Sequence, residues 1–144
     1  MGTFTVFDHT ADVGLDVQGR SLEDLLETAA WATFDQMLED RPDKVEVLDD
    51  VRAATMPGLA GDTAELLVVW LQELLFRFET GRLVPMTFEF GRIGPGEVRA
   101  TVGFGRFEPG RHRTRLEIKA VTYHGLDVHA EPGGTWRARF ILDV

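Results

Sequence analysis

Asp62-Thr-Ala-Glu-Leu-Leu-Val-Val-Trp-Leu-Gln-Glu-Leu-Leu-Phe-Arg-Phe-Glu-Thr-Gly81 reads as one amphipathic helix. Asp62 with Glu65 three positions on supplies acceptors for the orphan amides of a first turn. Leu67, Trp70, Leu71, Leu74 and Phe78 recur at three- and four-residue spacing and form one apolar stripe. Leu66, Val68, Val69 and Leu75 widen that stripe, and Gly81 suits a C-terminal stop. A second helix precedes it. Ser21-Leu-Glu-Asp24 offers the same kind of cap, Leu22, Leu25, Leu26, Ala29, Phe34 and Leu38 carry the period, and Pro42 ends the run. The wider stripe predicts that the helix opened by Asp62 is the more buried of the two.

Outward from the helices the pattern alternates with period two. Phe4–Val6, Val13–Val17, Val45–Val47, Phe88–Phe90, Glu97–Val102, Arg115–Tyr123, Leu126–Val128 and Trp136–Val144 are candidate strands. Gly91–Gly96, Gly103–Gly110 and Pro132–Gly134 read as turns. Strands, two helices, then strands without intervening helices predict an α+β fold in one domain, residues 1–144. Its two helices should pack on a mixed, largely antiparallel β-sheet.

The chain has 144 residues, 44% apolar, with 15 Lys and Arg against 24 Asp and Glu, a net charge of −9. Residues 1–72 hold 15 acidic and only 4 basic side chains, whereas residues 73–144 hold 9 acidic and 11 basic. A balance this acidic argues against direct strong binding to nucleic acid, which needs a cationic footprint. The absence of cysteine removes disulfides, thiolate zinc sites and cysteine nucleophiles. No secretory signal is legible at the start, and no apolar run approaches the ~20 residues that span a bilayer. The expectation is a cytoplasmic protein without membrane contact.

Asp8-His9-Thr10-Ala11-Asp12 concentrates capable side chains where the first strand's alternation breaks, a candidate tight bend. Carboxylates there suit a hard cation such as Ca2+ or Mg2+. Asp143 follows the apolar Phe140-Ile-Leu, and a carboxylate at the tip of a buried strand must be paired, hydrogen-bonded or liganded. With the first and last strands adjacent, Asp12, Asp143 and the main-chain carboxylate of Val144 would gather about three negative charges and call for a cation. Lys119 shares a strand face with Glu117, Val121 and Tyr123 and is placed to pair with Glu117 or a site carboxylate. His124 stands just before a bend at Gly125. The glycine-rich Gly103–Gly110 lacks the Gly-Lys-Ser/Thr ending of a phosphate loop and reads as a β-turn. Arg111–Arg115 is a basic cluster suited to an RNA phosphate or, in so acidic a chain, to a protein surface.

The strings Asp8–Gly14, Leu67-Val-Val-Trp-Leu-Gln-Glu-Leu-Leu75, Glu117-Ile-Lys-Ala-Val-Thr-Tyr-His-Gly125 and Phe140-Ile-Leu-Asp-Val144 together resemble the archease family from end to end. Departures are a short N-terminus, Gln72 where Asn is common, and the Gly/Pro-rich Gly91–Gly110. The resemblance implies an accessory protein, not a catalyst. Its partner would be an RtcB-type, GTP-dependent RNA ligase of tRNA splicing and RNA repair, whose guanylylation and repeated turnover it promotes. It further implies a divalent cation, Ca2+ first, on Asp12, Asp143 and the main chain of Val144. Asp8, His9, Lys119 and His124 would be supporting or partner-contact residues. Two other readings compete: a chaperone-like modulator of RNA-modifying enzymes such as methyltransferases, and a metal-dependent hydrolase with His9 or His124 as base.

Overall fold

The computed structural model describes residues 1–9, 12–55 and 62–144. Seven strands and two helices follow in the order β1 (Thr3–His9), β2 (Asp12–Gly19), α1 (Leu22–Met37), β3 (Val47–Ala54), α2 (Thr63–Gly81), β4 (Leu83–Gly94), β5 (Glu97–Arg106), β6 (Ala120–Ala130) and β7 (Trp136–Asp143). The α+β class is as expected, but the strands form two sheets. One runs β1-β2-β7-β6 and the other β3-β5-β4. Every pairing between the named strands is antiparallel.

Local chemistry starts both helices where the capping residues stand. The Ser21 hydroxyl accepts the Asp24 amide at 3.0 Å. The Asp62 carboxylate accepts the amides of Ala64 and Glu65 at 3.0 and 3.3 Å. Their ends differ from expectation. α1 stops before Pro42, because at Leu38 the chain turns extended and bridges Thr114. The segment around Arg115 crosses the helix end, its amide donating to the Met37 carbonyl at 2.7 Å. In α2 the left-handed residue is Arg82 (φ 54°), one position beyond Gly81.

The prediction that α2 is the more buried helix fails. Nine of the sixteen residues of α1 are buried, against seven of nineteen in α2. Ala29, Ala30 and Ala32 let neighbours approach α1 on several sides, while the hydroxyls of Thr28 and Thr33 fold back onto the Asp24 and Ala29 carbonyls. Both helices pack on strands of both sheets, so one core serves the whole molecule. Trp70 is its anchor. Fully buried, it lies against Phe88 and Phe90 of β4 and donates its indole N–H to the Leu26 carbonyl at 3.0 Å.

Two further segments correct the sequence reading. Gly103 and Gly105 lie inside β5, not in a turn. A Cβ on Gly105 would come within 2.5 Å of the Pro42 ring and 2.6 Å of the Met86 sulfur, so glycine is there for packing. Likewise β4 continues through Gly91 to Gly94 before the chain turns. The predicted strand from Arg115 begins only at Ala120, where its partner β7 reaches it.

Candidate functional site

The four-stranded sheet brings the chosen acids to one edge. β2 and β7 are in register from Val13 opposite Leu142 to Gly19 opposite Trp136. Asp12 stands one residue outside that first pair on β2, and Asp143 one residue outside it on β7. Leu15, Val17, Phe140 and Leu142 are fully buried beneath the helices. Side chains alternate along a strand, so Asp12 and Asp143 belong to the opposite, outer face. Both are partly buried. On the other side of β7, Asp143 pairs with Ala120, and its carbonyl accepts the Lys119 amide at 2.8 Å.

The same outer face shows how this protein treats acids elsewhere. Asp16, paired with Arg139 across β2 and β7, receives the Arg137 guanidinium bidentately at 3.0 and 3.1 Å. Arg139 approaches it at 3.8 Å while lying over the Phe7 ring. The hydrogen bonds that Arg137 donates to the Asp16 carboxylate push its pKa above its ordinary value. Among the described residues, no Lys or Arg forms an ion pair with the Asp143 carboxylate.

The remaining candidates divide. The backbone register sets His9 opposite Asp12 and Asp8 opposite Val13. Of the expected bend, Asp8 and His9 belong to β1 and Asp12 opens β2, while Thr10 and Ala11 lie outside the described residues. Val144 follows β7 and is partly buried. Lys119 is exposed, and among the described residues its ammonium pairs neither with Glu117 nor with a site carboxylate. His124 does sit at a bend, since Gly125 has φ 68° and the β6–β7 register breaks between Thr122 and Asp127. That places it four residues along β6 from Ala120, the residue paired with Asp143.

Oxygen donors from Asp12, Asp143 and the Val144 main chain have the chemistry a hard cation prefers. Among the described residues, however, no three His, Asp or Glu side chains gather around one point.

Sequence reasoning missed a groove of about 610 Å3 beside this edge. One wall is Leu75, Phe78 and Glu79 of α2 with its cap residue Arg82, the other is the segment from Leu116 to Lys119, and Met37 also lines it. Reading Arg115–Tyr123 as a continuous paired strand hid it. The charged side chains spaced along the second half of α2 were the available signal.

Comparison with known proteins bears on the whole chain. A sequence model of the Archease protein family (MTH1598/TM1083) matches residues 4–144. The chain is 36% identical over 140 residues to the protein archease of Methanopyrus kandleri, covering 95% of this chain and 96% of that one. It is 32% identical over 145 residues to the protein archease of Sulfolobus acidocaldarius, covering all of both. Its fold is similar to the solution structure of Methanobacterium thermoautotrophicum protein 1598, with TM-score 0.76, 32% identity and 98% of each chain covered. A match that begins in β1, closes on Val144 and takes in the acidic edge between them leaves one conclusion: the chain belongs to the archease family.

Proposed function

We propose that this protein is an accessory partner of an RtcB-type, GTP-dependent RNA ligase in tRNA splicing and RNA repair. In this reading it promotes guanylylation of the ligase so that each enzyme turns over repeatedly, and it is not itself the catalyst. Membership of the archease family supports an accessory role. The net charge of −9 also favours a protein partner over direct contact with RNA.

Within that reading, Asp12, Asp143 and the main chain of Val144 hold a divalent cation, with Ca2+ the best match to an all-oxygen donor set. One observation carries the assignment. Asp12 and Asp143 flank the Val13–Leu142 pair on the outer face, where Asp16 has two arginines and Asp143 has none among the described residues. Two carboxylates at neighbouring sheet positions repel unless a cation lies between them. Calcium takes 6–8 oxygens, so an ion bound there keeps open positions toward a partner. The protein's own part is to fix the two strand ends, with the Lys119 amide anchoring the Asp143 carbonyl.

The deciding experiment adds the purified protein to the cognate ligase with GTP and RNA ends, and counts joined ends per ligase. Many turnovers with the wild type, and about one with Asp12→Ala and Asp143→Ala, is the expected result. Full stimulation by both variants would remove the site from the mechanism. No stimulation by the wild type would remove the ligase.

A further inference from the structure

We propose that the groove between α2 and residues 116–119 is a docking channel for an extended peptide segment of a partner protein, which adds as a short strand to the main chain at Glu117 and Ile118. The proposal does not depend on the metal site or on the ligase reading.

The main chain carries the argument. From Leu116 to Lys119 the chain belongs to no helix and no ladder, yet its side chains alternate half-buried and exposed as a strand's would. Arg115 and Leu116 send their amides to Met37, and Lys119 sends its amide to Asp143. Among the described residues, Glu117 and Ile118 between them make no backbone hydrogen bond. β7 pairs with this part of the chain no further than Ala120 opposite Asp143. Unpaired donors and acceptors in an extended row are a template for strand addition, in which main-chain bonds give affinity and alternate side chains enter pockets.

The side chains select the same occupant. Met37, Leu75, Phe78, Leu116 and Ile118 give the groove its apolar lining, suited to every second side chain of a strand. Arg82 lies over the Phe78 ring with its Cζ 5.1 Å from the centroid. Among the described residues, Glu79, Arg82, Glu117 and Lys119 form no ion pair, although arginines elsewhere on the surface are clamped by carboxylates. Two carboxylates balance two cations, so a polyanion such as RNA meets as much repulsion as attraction. A segment with apolar residues at alternate positions and charges of both signs satisfies every group. The volume of about 610 Å3 falls in the range of ligand-binding clefts.

The test pans a phage-displayed library of random linear dodecapeptides against the full-length protein and maps the selected peptides by NMR and amide exchange. The expected result is a peptide that slows exchange at the Glu117 and Ile118 amides and shifts the Leu75 and Phe78 side-chain signals. Ile118→Pro, which deletes one amide donor, should weaken it at least tenfold. Leu75→Arg, in a half-buried position on the helix wall, should do the same with the edge strand intact. Melting curves establish that each variant is folded. Peptides that bind elsewhere, no selected peptide at all, or undiminished binding by both folded variants would overturn the proposal. Protection of the two amides that grows with protein concentration alone would make a second copy the occupant and equally overturn it.

Discussion

Lys119 gives its amide to the carbonyl of Asp143 at 2.8 Å, and this bond is where β6 first takes hold of β7. It fixes one side of Asp143, while pairing between Val13 and Leu142 fixes the strand that brings Asp12 alongside. The acidic edge is thus positioned by main chain on both flanks, and its side chains can be changed without disturbing the ladder.

A clear consequence concerns the sign of a charge-removing substitution. In chelator, Asp143→Asn should leave the melting temperature unchanged or slightly raised, because like charges are relieved and no partner is lost. In calcium the order reverses. Ligand at 100 times its Kd adds about 2.7 kcal/mol of stability to a protein that binds only when folded. The wild type should gain that increment, and Asp12→Asn and Asp143→Asn should lack it. Equal calcium-dependent gains in all three proteins, read by thermal melts, would refute the ion site.

Trp70 joins α2 to α1 and to β4 at once. Trp70→Phe removes ring volume from a fully buried site and leaves the Leu26 carbonyl without its indole donor. The two losses together predict about 2–4 kcal/mol of destabilisation. Urea unfolding should show a lower midpoint with an unchanged slope. A shift under 1 kcal/mol would mean the indole bond contributes little.

What could be read in advance divides along a physical line. The caps at Ser21 and Asp62 were legible because each acts over three residues. The acids at Asp12 and Asp143 were legible as unusual, since a carboxylate ending an apolar strand needs a reason. What local pattern does not contain is the identity of the neighbour. Arg115–Lys119 alternates like a strand, but among the described residues it joins no ladder. Gly103 and Gly105 resemble a turn, and it is the side chains of Thr87 and Val45 against the first and of Pro42 and Met86 against the second that explain glycine inside a strand. The burial of α1 was misjudged for the same reason, because alanines weigh little in a hydrophobic stripe yet admit close packing on several sides.

The strand glycines make a paired prediction. Gly105→Ala drives a methyl group against Pro42, Met86 and the Lys44 carbonyl, at 2.5, 2.6 and 2.8 Å. Overpacking of this kind costs about 1–3 kcal/mol. Gly110→Ala is the control, since nothing lies within 4 Å of its added Cβ, and it should stay within about 0.5 kcal/mol of the wild type. Equal stabilities for the two variants would show that the close approach at Gly105 is relieved without cost.

Acid dependence should separate two glutamates by sign. Hydrogen bonds from Arg52, then from Arg99, hold Glu97 below the ordinary value of 4.5. A carboxyl depressed in the folded state stabilises it above its unfolded pKa, and that contribution disappears as pH falls through the folded value. Glu97→Gln should therefore lower the melting temperature at pH 7, with the gap closing below about pH 4. Burial raises Glu27 instead. Its neutral form is favoured by folding, so its stabilising contribution is complete below 4.5 and is lost as pH rises through the elevated value. Glu27→Gln should accordingly melt slightly higher than the wild type at pH 7 and converge with it in acid. Both glutamates are only partly buried, so solvent screening keeps the shifts small and high salt shrinks them further. A series of thermal melts from pH 2 to 8 reads both at once, and two curves of the same sign would contradict the assignment of burial to one residue and arginine pairing to the other.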